Sequence, residues 1–346
     1  MNWIVVRWSN ALLGRLRPSH RFVLFLLALL GGVGISAGGQ TALAGIDPQV
    51  ILQAKRSTVG ILTESERFQF KGTGVHLGEG YIITARHVVD GSGYQKALRP
   101  SVTILTQDQR ELSAFLAGEH VLTDLALYRV EPGAALKLPG AVSFAATDPQ
   151  AGEDVFTVGF PLDWGATVTY GRVGSEGTFL FTVASRLLQV DLSVCSGNSG
   201  GGLFNERGEV VGIVYAIIQT EHVLGKGGCS RMAFAIPATI ADRIVRDLRE
   251  RKPPSMARLG IAMEAVKVED RWRVRVAKVE GPASEGGLQV GDVILAIDQT
   301  EIFTPAELKS LILTEAQPNQ PVLLHVLRNS TEFRTTIVLG DLGGGG

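Results

Sequence analysis

The chain has 346 residues, of which 19% are charged, and its formal net charge is −1. This balance argues against a general nucleic-acid binder and against a protein made for polyacidic partners. The length allows two or three domains, and the 42 glycines are spread along the chain, as expected for a protein with many tight turns.

The first 45 residues have the composition of an export segment. Positive charge comes first, from Arg7, Arg15, Arg17 and Arg21. An apolar run from Phe22 to Ile35 follows, and then Ala42-Leu43-Ala44, which predicts a signal peptide cleaved after Ala44. An uncleaved inner-membrane anchor is the alternative, although the run is shorter than the roughly 20 residues that span a bilayer. In both cases the remainder is periplasmic or otherwise exported.

Short β-rich runs alternate with turn residues from Val50 to about Ile217. They read TVGIL, GTGVHL, YIITA, SVTILT, LALYRV, DVFTVGF, TVTYGRV, LQVDL and EVVGIVYAII. Even spacing of this kind predicts a mostly β sandwich or pair of barrels. An apolar stripe at helical spacing follows Pro237, and the predicted helix closes the first domain.

Changes in composition divide the chain into five parts. Residues 1–45 are the signal peptide or anchor, residues 46–250 form the first domain, and residues 251–256 form a Pro-containing linker. A second module covers residues 257–342, and the glycine tail, residues 343–346, is expected to be disordered.

The stretch SVCSGNSGGGLF, residues 193–204, places Ser199 at the centre of a glycine cluster. Glycine is used where the backbone turns sharply or approaches a ligand closely, so Ser199 is either a turn residue or a nucleophile. A serine hydroxyl becomes a strong nucleophile only when a neutral imidazole takes its proton and a third group orients that imidazole.

Of the six histidines, His87 has the context that this chemistry needs. It lies in the run ITARHVV, just where a buried strand ends, and Asp124 stands at the start of an apolar strand in TDLAL. The others are His20 in the export segment, His76 and His120 without distinctive context, His222 in a loop-like stretch and His325 in the second module. Each of the three residues alone would be a structural residue; together His87, Asp124 and Ser199 predict a catalytic triad.

These motifs carry a family resemblance. GTG (72–74), ITARHVV, DLAL, GNSGG and FAIP, in this order, resemble the protease domain of the HtrA/Deg family, which has the chymotrypsin-like double β-barrel. Arg258-Leu259-Gly260-Ile261 resembles a PDZ carboxylate-binding loop, and residues 281–302 resemble the core of a bacterial PDZ domain. The resemblance covers about Ile46 to Leu339. It implies a serine endopeptidase of the envelope that acts on misfolded or signalling proteins and needs no cofactor or metal.

The resemblance also implies roles for individual residues. The oxyanion hole would be the segment Gly197-Asn198-Ser199, with the backbone N–H groups of Gly197 and Ser199 as donors. Asn198 stands where digestive enzymes of this fold carry Asp, so activation by zymogen cleavage lacks its ion pair. The specificity pocket would lie at Ser193 and Cys195; without a carboxylate there, we expect cleavage after small or medium apolar residues.

Cys195 and Cys229, the only two cysteines, stand where chymotrypsin-type enzymes have a disulfide beside the pocket, and two free thiols are the alternative. The PDZ module is expected to bind the free C-termini of peptides, with the helix near Pro305–Leu313 as the second wall and Leu308 or Leu311 facing the peptide. A purely structural module packed on the first domain is the alternative. HtrA relatives are often trimers, so a homotrimer assembled through Ile46–Gln53 is a further expectation.

Two other functions compete with the endopeptidase. An idle PDZ-bearing scaffold or chaperone would bind extended chains, but inactive relatives should lack one of the three triad residues. An acyl hydrolase would place a G-x-S-x-G turn between a strand and a helix, whereas β-rich runs surround Ser199 here.

Overall fold

The computed structural model describes residues 45–62, 70–89, 98, 100–163, 165–180, 183–217, 229–252 and 256–342. The predicted export segment up to Ala44, His222 and the glycine tail lie outside these ranges, as do residues 253–255 of the expected linker. In the described ranges, every helix is too short or too polar to cross a membrane.

The first six strands form a closed antiparallel barrel in the order β1-β2-β3-β6-β5-β4. The elements of this part are α1 (Pro48–Ser57), β1 (Thr58–Leu62), β2 (Phe70–His76), β3 (Tyr81–Ala85), α2 (Arg86–Val89), β4 (Ser101–Leu105), β5 (Glu111–His120), β6 (Leu125–Val130) and α3 (Pro132–Ala135). Side chains of β3 are buried along the whole strand. This strand therefore packs against apolar residues on both faces.

A second closed barrel follows, in the order β10-β11-β12-β9-β8-β7. Its elements are β7 (Asp154–Gly159), β8 (Thr167–Phe179), β9 (Arg186–Cys195), β10 (Gly202–Phe204), β11 (Val210–Ile217) and β12 (Cys229–Pro237). One apolar cluster contains residues of both barrels, among them Ile83 and Leu127 from the first and Phe156 and Phe204 from the second. The two barrels share this core, and the predicted mostly β double-barrel fold is confirmed.

The predicted helix after Pro237 is α4 (Ala238–Arg249), and Pro237 itself occupies the N-cap position. The apolar stripe Ile240, Ile244, Val245 and Leu248 is buried, as the helical spacing predicts. It packs into the core that the barrels share.

The last part has its own core and a sheet in the order β14-β15-β16-β18-β19, with β17 paired to β16 and a separate pair β13–β20. The elements are β13 (Ala257–Arg258), β14 (Ile261–Val268), β15 (Arg271–Val279), α5 (Pro282–Glu285), β16 (Val293–Ile297), β17 (Thr300–Glu301), α6 (Pro305–Ser310), β18 (Pro321–Arg328), β19 (Thr331–Val338) and β20 (Gly340–Asp341). A π-helical turn, Leu311–Glu315, extends α6.

Polar contacts join this last part to the second barrel. Arg186 at the start of β9 donates to Glu315 (3.0 Å) and to Asp148 (2.7 Å). Asp148 in turn accepts the backbone N–H of Thr239, in the first turn of α4. Arg186 therefore connects the second barrel, α4 and the π-helical turn.

Candidate active site

His87 and Asp124 form a hydrogen-bonded pair at one end of the first barrel. The Asp124 carboxylate lies 2.5 Å from His87 Nδ1 and accepts the backbone N–H of His87 at 3.0 Å. The backbone N–H of Arg86 donates to the carbonyl of Asp124 at 2.7 Å, so the two segments are also joined through the main chain. Because Nδ1 must donate to the carboxylate, Nε2 is the ring nitrogen that can accept a proton.

The local backbone explains why Asp124 can reach the histidine. Asp124 ends a 3₁₀ turn (Val121–Thr123) in the left-handed conformation, with φ of 57°, immediately before β6. Aspartate tolerates this region better than most residues. The Asp124 side chain is 16% exposed and that of His87 is 45% exposed, so the carboxylate lies deeper than the imidazole it orients.

Ser199 lies in the turn between β9 and β10, on the second barrel. Gly197 and Gly200 in this turn have φ of 100° and 83°, which L side chains rarely adopt. A Cβ at Gly197 would lie 2.4 Å from the carbonyl oxygen of Phe160, and one at Gly200 would lie 2.2 Å from that of Thr73. The glycines are therefore required by close approach of other backbone, and Ser199 remains partly exposed.

The Ser199 turn packs against the strand that leads to His87. The N–H of Thr73 on β2 donates to the carbonyl of Ser199 at 2.9 Å, and the Thr84 hydroxyl on β3 donates to the carbonyl of Thr73 at 2.7 Å. Thr84 lies three residues before His87. The structure thus brings His87 and Asp124 from one barrel next to the Ser199 turn of the other.

Asn198 is 2% exposed, and its N–H donates to the carbonyl of Cys195 at 3.1 Å, within the turn. Among the described residues its side-chain Oδ1 has no hydrogen-bond partner. Since the N–H of Asn198 holds the turn, the backbone donors left for an oxyanion are those of Gly197 and Ser199.

Two residues near the site, Tyr215 and Thr73, were not assigned a role from the sequence. The Tyr215 ring meets the His87 imidazole edge-on, with centroids 6.0 Å apart and planes at 88°, and Tyr215 is 7% exposed. Thr73 belongs to the GTG motif, but its hydrogen bonds to the Ser199 turn join residues 124 or more positions apart. The sequence around Tyr215 and Thr73 does not indicate that they contact His87 and the Ser199 turn.

A disulfide joins Cys195 and Cys229 at register-paired positions of β9 and β12. Ser193, two residues earlier, is exposed. Asp191 is exposed too and pairs with Arg231 through both carboxylate oxygens, at 3.0 and 3.1 Å. The carboxylate nearest to Ser193 in sequence is therefore already paired with an arginine at the surface.

The segment Arg258–Ile261 borders a groove of about 260 Å³ that is mostly apolar. Leu308 of α6 and Ile312 of the π-helical turn also line this groove, and both belong to the core of the module, against which Leu311 packs. The order of the sheet places β14, which begins at Ile261, at its edge. An edge strand beside an apolar groove can receive an extended peptide as an additional strand.

The described residues contain no cluster of three or more His, Cys, Asp or Glu side chains that could hold a metal. His87 is paired with Asp124 beside the turn that contains Ser199, where a base, its orienting carboxylate and a nucleophile would lie in a serine peptidase. A double barrel with these groups between its halves defines the chymotrypsin-type peptidase class.

Comparisons with known proteins agree with that class. The model of the trypsin-like peptidase domain matches residues 72–213, and the model of the PDZ domain matches residues 257–339. The solved structure of the HtrA-type protease AlgW with a tripeptide has a TM-score of 0.66 and 27% identity, covering 84% of this chain and 96% of that one. The serine endoprotease from Yersinia pestis has a TM-score of 0.59 and 27% identity, covering 85% and 97%.

Curated relatives are longer than this chain. A probable periplasmic serine endoprotease, DegP-like, from Pseudomonas savastanoi pv. phaseolicola is 32% identical over 76% of this chain and 54% of its own length. One from Pseudomonas putida (strain GB-1) is 31% identical over 89% of this chain and 65% of its own length. The chain thus spans between about half and two thirds of these relatives. It carries a trypsin-like peptidase domain followed by a PDZ domain, and it is similar to the DegP-like and HtrA-type serine proteases.

Proposed function

We propose that the chain is a serine endopeptidase that acts through Ser199, His87 and Asp124. The observation that carries the proposal is the His87–Asp124 pair, with 2.5 Å between Nδ1 and the carboxylate, beside a glycine turn that presents Ser199 from the other barrel. The names of the relatives support this activity, since those proteins are called serine endoproteases.

In the first step, Ser199 Oγ attacks the carbonyl carbon of the scissile peptide bond while His87 Nε2 takes the hydroxyl proton. Asp124 stabilises the imidazolium that forms. The backbone N–H groups of Gly197 and Ser199 bind the oxyanion of the tetrahedral intermediate. The intermediate collapses to an acyl-enzyme as His87 gives its proton to the leaving amine. Water, deprotonated by His87, then releases the acid and restores Ser199.

The proposed specificity is for small or medium apolar residues before the cleaved bond, such as Val, Ala or Leu. Ser193 at the expected pocket floor carries no charge, and Asp191 is exposed and paired with Arg231. A substrate Lys or Arg would therefore find no unpaired carboxylate at this position, and its charge would gain no partner there. A peptide library in which cleavage after Lys or Arg dominates would contradict this assignment.

We place the activity in the periplasm, on misfolded or signalling proteins, because curated relatives are named periplasmic. Residues 46–250 would form the protease domain and residues 257–342 the PDZ domain, with residues 251–256 between them. Cleavage of the signal peptide after Ala44, with retention as an inner-membrane anchor as the alternative, and assembly of a homotrimer through Ile46–Gln53 are further parts of this proposal.

The test is labelling with a fluorophosphonate probe and turnover of casein by residues 45–346. Wild type should be labelled and active. Ser199→Ala should lose labelling, and both Ser199→Ala and His87→Ala should lose turnover by several orders of magnitude, because the triad acts as a unit. Ser196→Ala, an exposed serine of the same turn, is the matched control and should keep both. A wild-type protein that is folded but neither labelled nor active would instead be the idle scaffold.

A further inference from the structure

Thr73 occupies an unusual place between the two barrels. It lies on β2, is fully buried, and uses its hydroxyl and both backbone groups for contacts away from its own strand. The hydroxyl donates to the carbonyl of Gly197 at 2.6 Å and accepts the N–H of Phe160 at 3.0 Å. Its backbone N–H donates to the carbonyl of Ser199 at 2.9 Å. One residue of the first barrel thus binds the Ser199 turn at two points.

These two points lie on either side of the proposed oxyanion donor. The N–H of Ser199 belongs to the peptide plane between Asn198 and Ser199. Thr73 binds the carbonyl of the plane before it, at Gly197, and that of the plane after it, at Ser199. With both neighbours held, the middle plane has little freedom to rotate, and the direction of its N–H is fixed.

The turn is held from inside and from outside. Within it, the N–H of Gly201 donates to the carbonyl of Asn198, in the middle plane itself, at 3.0 Å. Gly197 has φ of 100° and glycine has wide conformational freedom, so the planes on either side gain order from an external constraint. Preorganised donors stabilise an oxyanion because they need no rearrangement during the reaction. The hydroxyl of Thr73 supplies such a constraint from a rigid barrel strand.

We propose that Thr73 is a positioning residue for the reaction, whose hydroxyl and N–H hold the oxyanion donor of Ser199 in its productive direction. The inference rests on the proposed function, because it assigns a role within the same site. It predicts that loss of the Thr73 hydroxyl lowers the rate of the chemical step more than it lowers substrate binding.

The variants are Thr73→Val, which keeps the shape but removes the hydroxyl, and Thr73→Ser, which keeps the hydroxyl. Thr157→Val is the matched control. Thr157 is also fully buried, and its hydroxyl donates to the carbonyl of Gly202 at 2.7 Å, just beyond the turn that contains Ser199. Both valine variants therefore remove a buried hydroxyl that donates to a backbone carbonyl.

The melting temperature of each variant is measured first. The values of kcat and KM on a peptide substrate and the rate of fluorophosphonate labelling are then measured well below it. Thr73→Val should lower kcat and the labelling rate by about 10- to 100-fold with KM changed by less than about threefold. Thr73→Ser should keep kcat within about threefold of wild type, and Thr157→Val should lose stability but not kcat. Equal kcat in the two valine variants, or a Thr73→Ser variant as slow as Thr73→Val, would overturn the inference.

If Thr73→Val does not fold, Thr84→Val takes its place, because the Thr84 hydroxyl holds the carbonyl of Thr73 at 2.7 Å. It should lower kcat by a few-fold relative to Thr157→Val, and no difference would overturn the inference. A wild-type protein that is inactive and unlabelled would overturn the proposed function together with this inference. A labelled, active wild type with an unimpaired Thr73→Val would overturn the role of Thr73 alone.

Discussion

At the residue scale, the orientation of His87 depends on Asp124. The carboxylate accepts from both the ring and the backbone N–H of His87, so it fixes the tautomer and the ring plane together. Asp124→Asn should keep the shape but place an NH₂ group against Nδ1, which favours the tautomer with its proton on Nε2. We expect kcat to fall on the order of 10³- to 10⁴-fold.

The measurement is steady-state turnover of a peptide substrate, with the melting temperature as a check on folding. Asp154→Asn is the control, since Asp154 is exposed and pairs only at the surface with Arg172. That variant should keep the activity of wild type. Turnover of Asp124→Asn within tenfold of wild type would mean that another group orients His87.

The sequence could predict His87, Asp124 and Ser199 as a set because each lies in a short run with its own local character. His87 follows a buried strand, Asp124 precedes one, and Ser199 stands among glycines. Thr73 and Tyr215 could not be found in this way. Their importance comes from contacts across the barrels, and a buried threonine or tyrosine in a β-rich run is ordinary core sequence.

At the scale of elements, the predicted strands β1 and β3 are almost fully buried and rich in β-branched residues. β5 was not predicted, because its second half loses the alternation and includes Gly118. β10 was not predicted either, since it has three residues and begins inside the glycine cluster. For the helix α1, by contrast, the sequence contains a start signal: Asp47 is the N-cap and Pro48 lies in the first turn.

The disulfide ties the end of β9 to the start of β12, four residues before Ser199. In the chain-entropy model, closing a loop of 34 residues stabilises a protein by roughly 3–4 kcal/mol, less any strain. The double variant Cys195→Ser, Cys229→Ser should lose about that much free energy of unfolding. We also expect lower activity, because β9 leads directly into the Ser199 turn.

Denaturant unfolding of the variant and of wild type measures the loss. Mass spectrometry of non-reduced peptides from the exported protein tests the bridge itself. If Cys195 and Cys229 can both be alkylated without prior reductant, the cysteines are free thiols in the cell. An unchanged free energy of unfolding in the double variant would contradict the stabilising role.

His120, at the end of β5, links pH to stability. It is 7% exposed and contacts the Thr123 hydroxyl at 2.8 Å; burial, and to a smaller extent the nearby Arg243 charge, lowers its pKa to about 4. The unfolded chain then binds a proton near pH 6.5 that the folded protein takes up only near pH 4. The free energy of unfolding should therefore fall by up to about 3 kcal/mol as the pH decreases through that window.

Urea unfolding at several values between pH 7 and pH 4 measures the slope. His120→Gln should show a shallower decrease, although part of it will remain, because burial lowers the pKa of His76 as well. The same slope in wild type and His120→Gln would show that His120 does not contribute.

At the scale of the whole molecule, the spacing of the β-rich runs predicted a sandwich or a pair of barrels, and the family resemblance implied a double barrel followed by a PDZ module. The contacts that join these parts could not be predicted. Arg186 and Glu315 are 129 positions apart, and arginine–glutamate pairs are too frequent in any sequence to indicate which two will meet. The pairing is a consequence of how the π-helical turn packs against the start of β9.

We propose that the groove of the PDZ domain holds a peptide carboxylate at the loop that contains Gly260. Gly260 has φ of 83°, and a Cβ there would lie 2.1 Å from the carbonyl oxygen of Glu280. The N–H of Glu280 donates to the carbonyl of Gly260 at 2.8 Å, which fixes the loop. With that carbonyl engaged, the backbone N–H groups of Arg258–Ile261 are the donors that a carboxylate would meet at the mouth of the groove.

We therefore expect a peptide with an apolar C-terminal residue to bind as a free acid at least tenfold more tightly than as an amide, in a fluorescence titration of the protein. Gly260→Ala should abolish binding, because the added Cβ displaces the loop from Glu280. Gly287→Ala is the matched control: Gly287 also has a positive φ, of 81°, in the same domain, but a Cβ there would meet no atom within 4 Å. Both substitutions carry the backbone cost of a side chain at positive φ, so only the loop displacement differs. Equal affinity for acid and amide would contradict carboxylate capture, and it would favour a domain whose role is to pack on the protease.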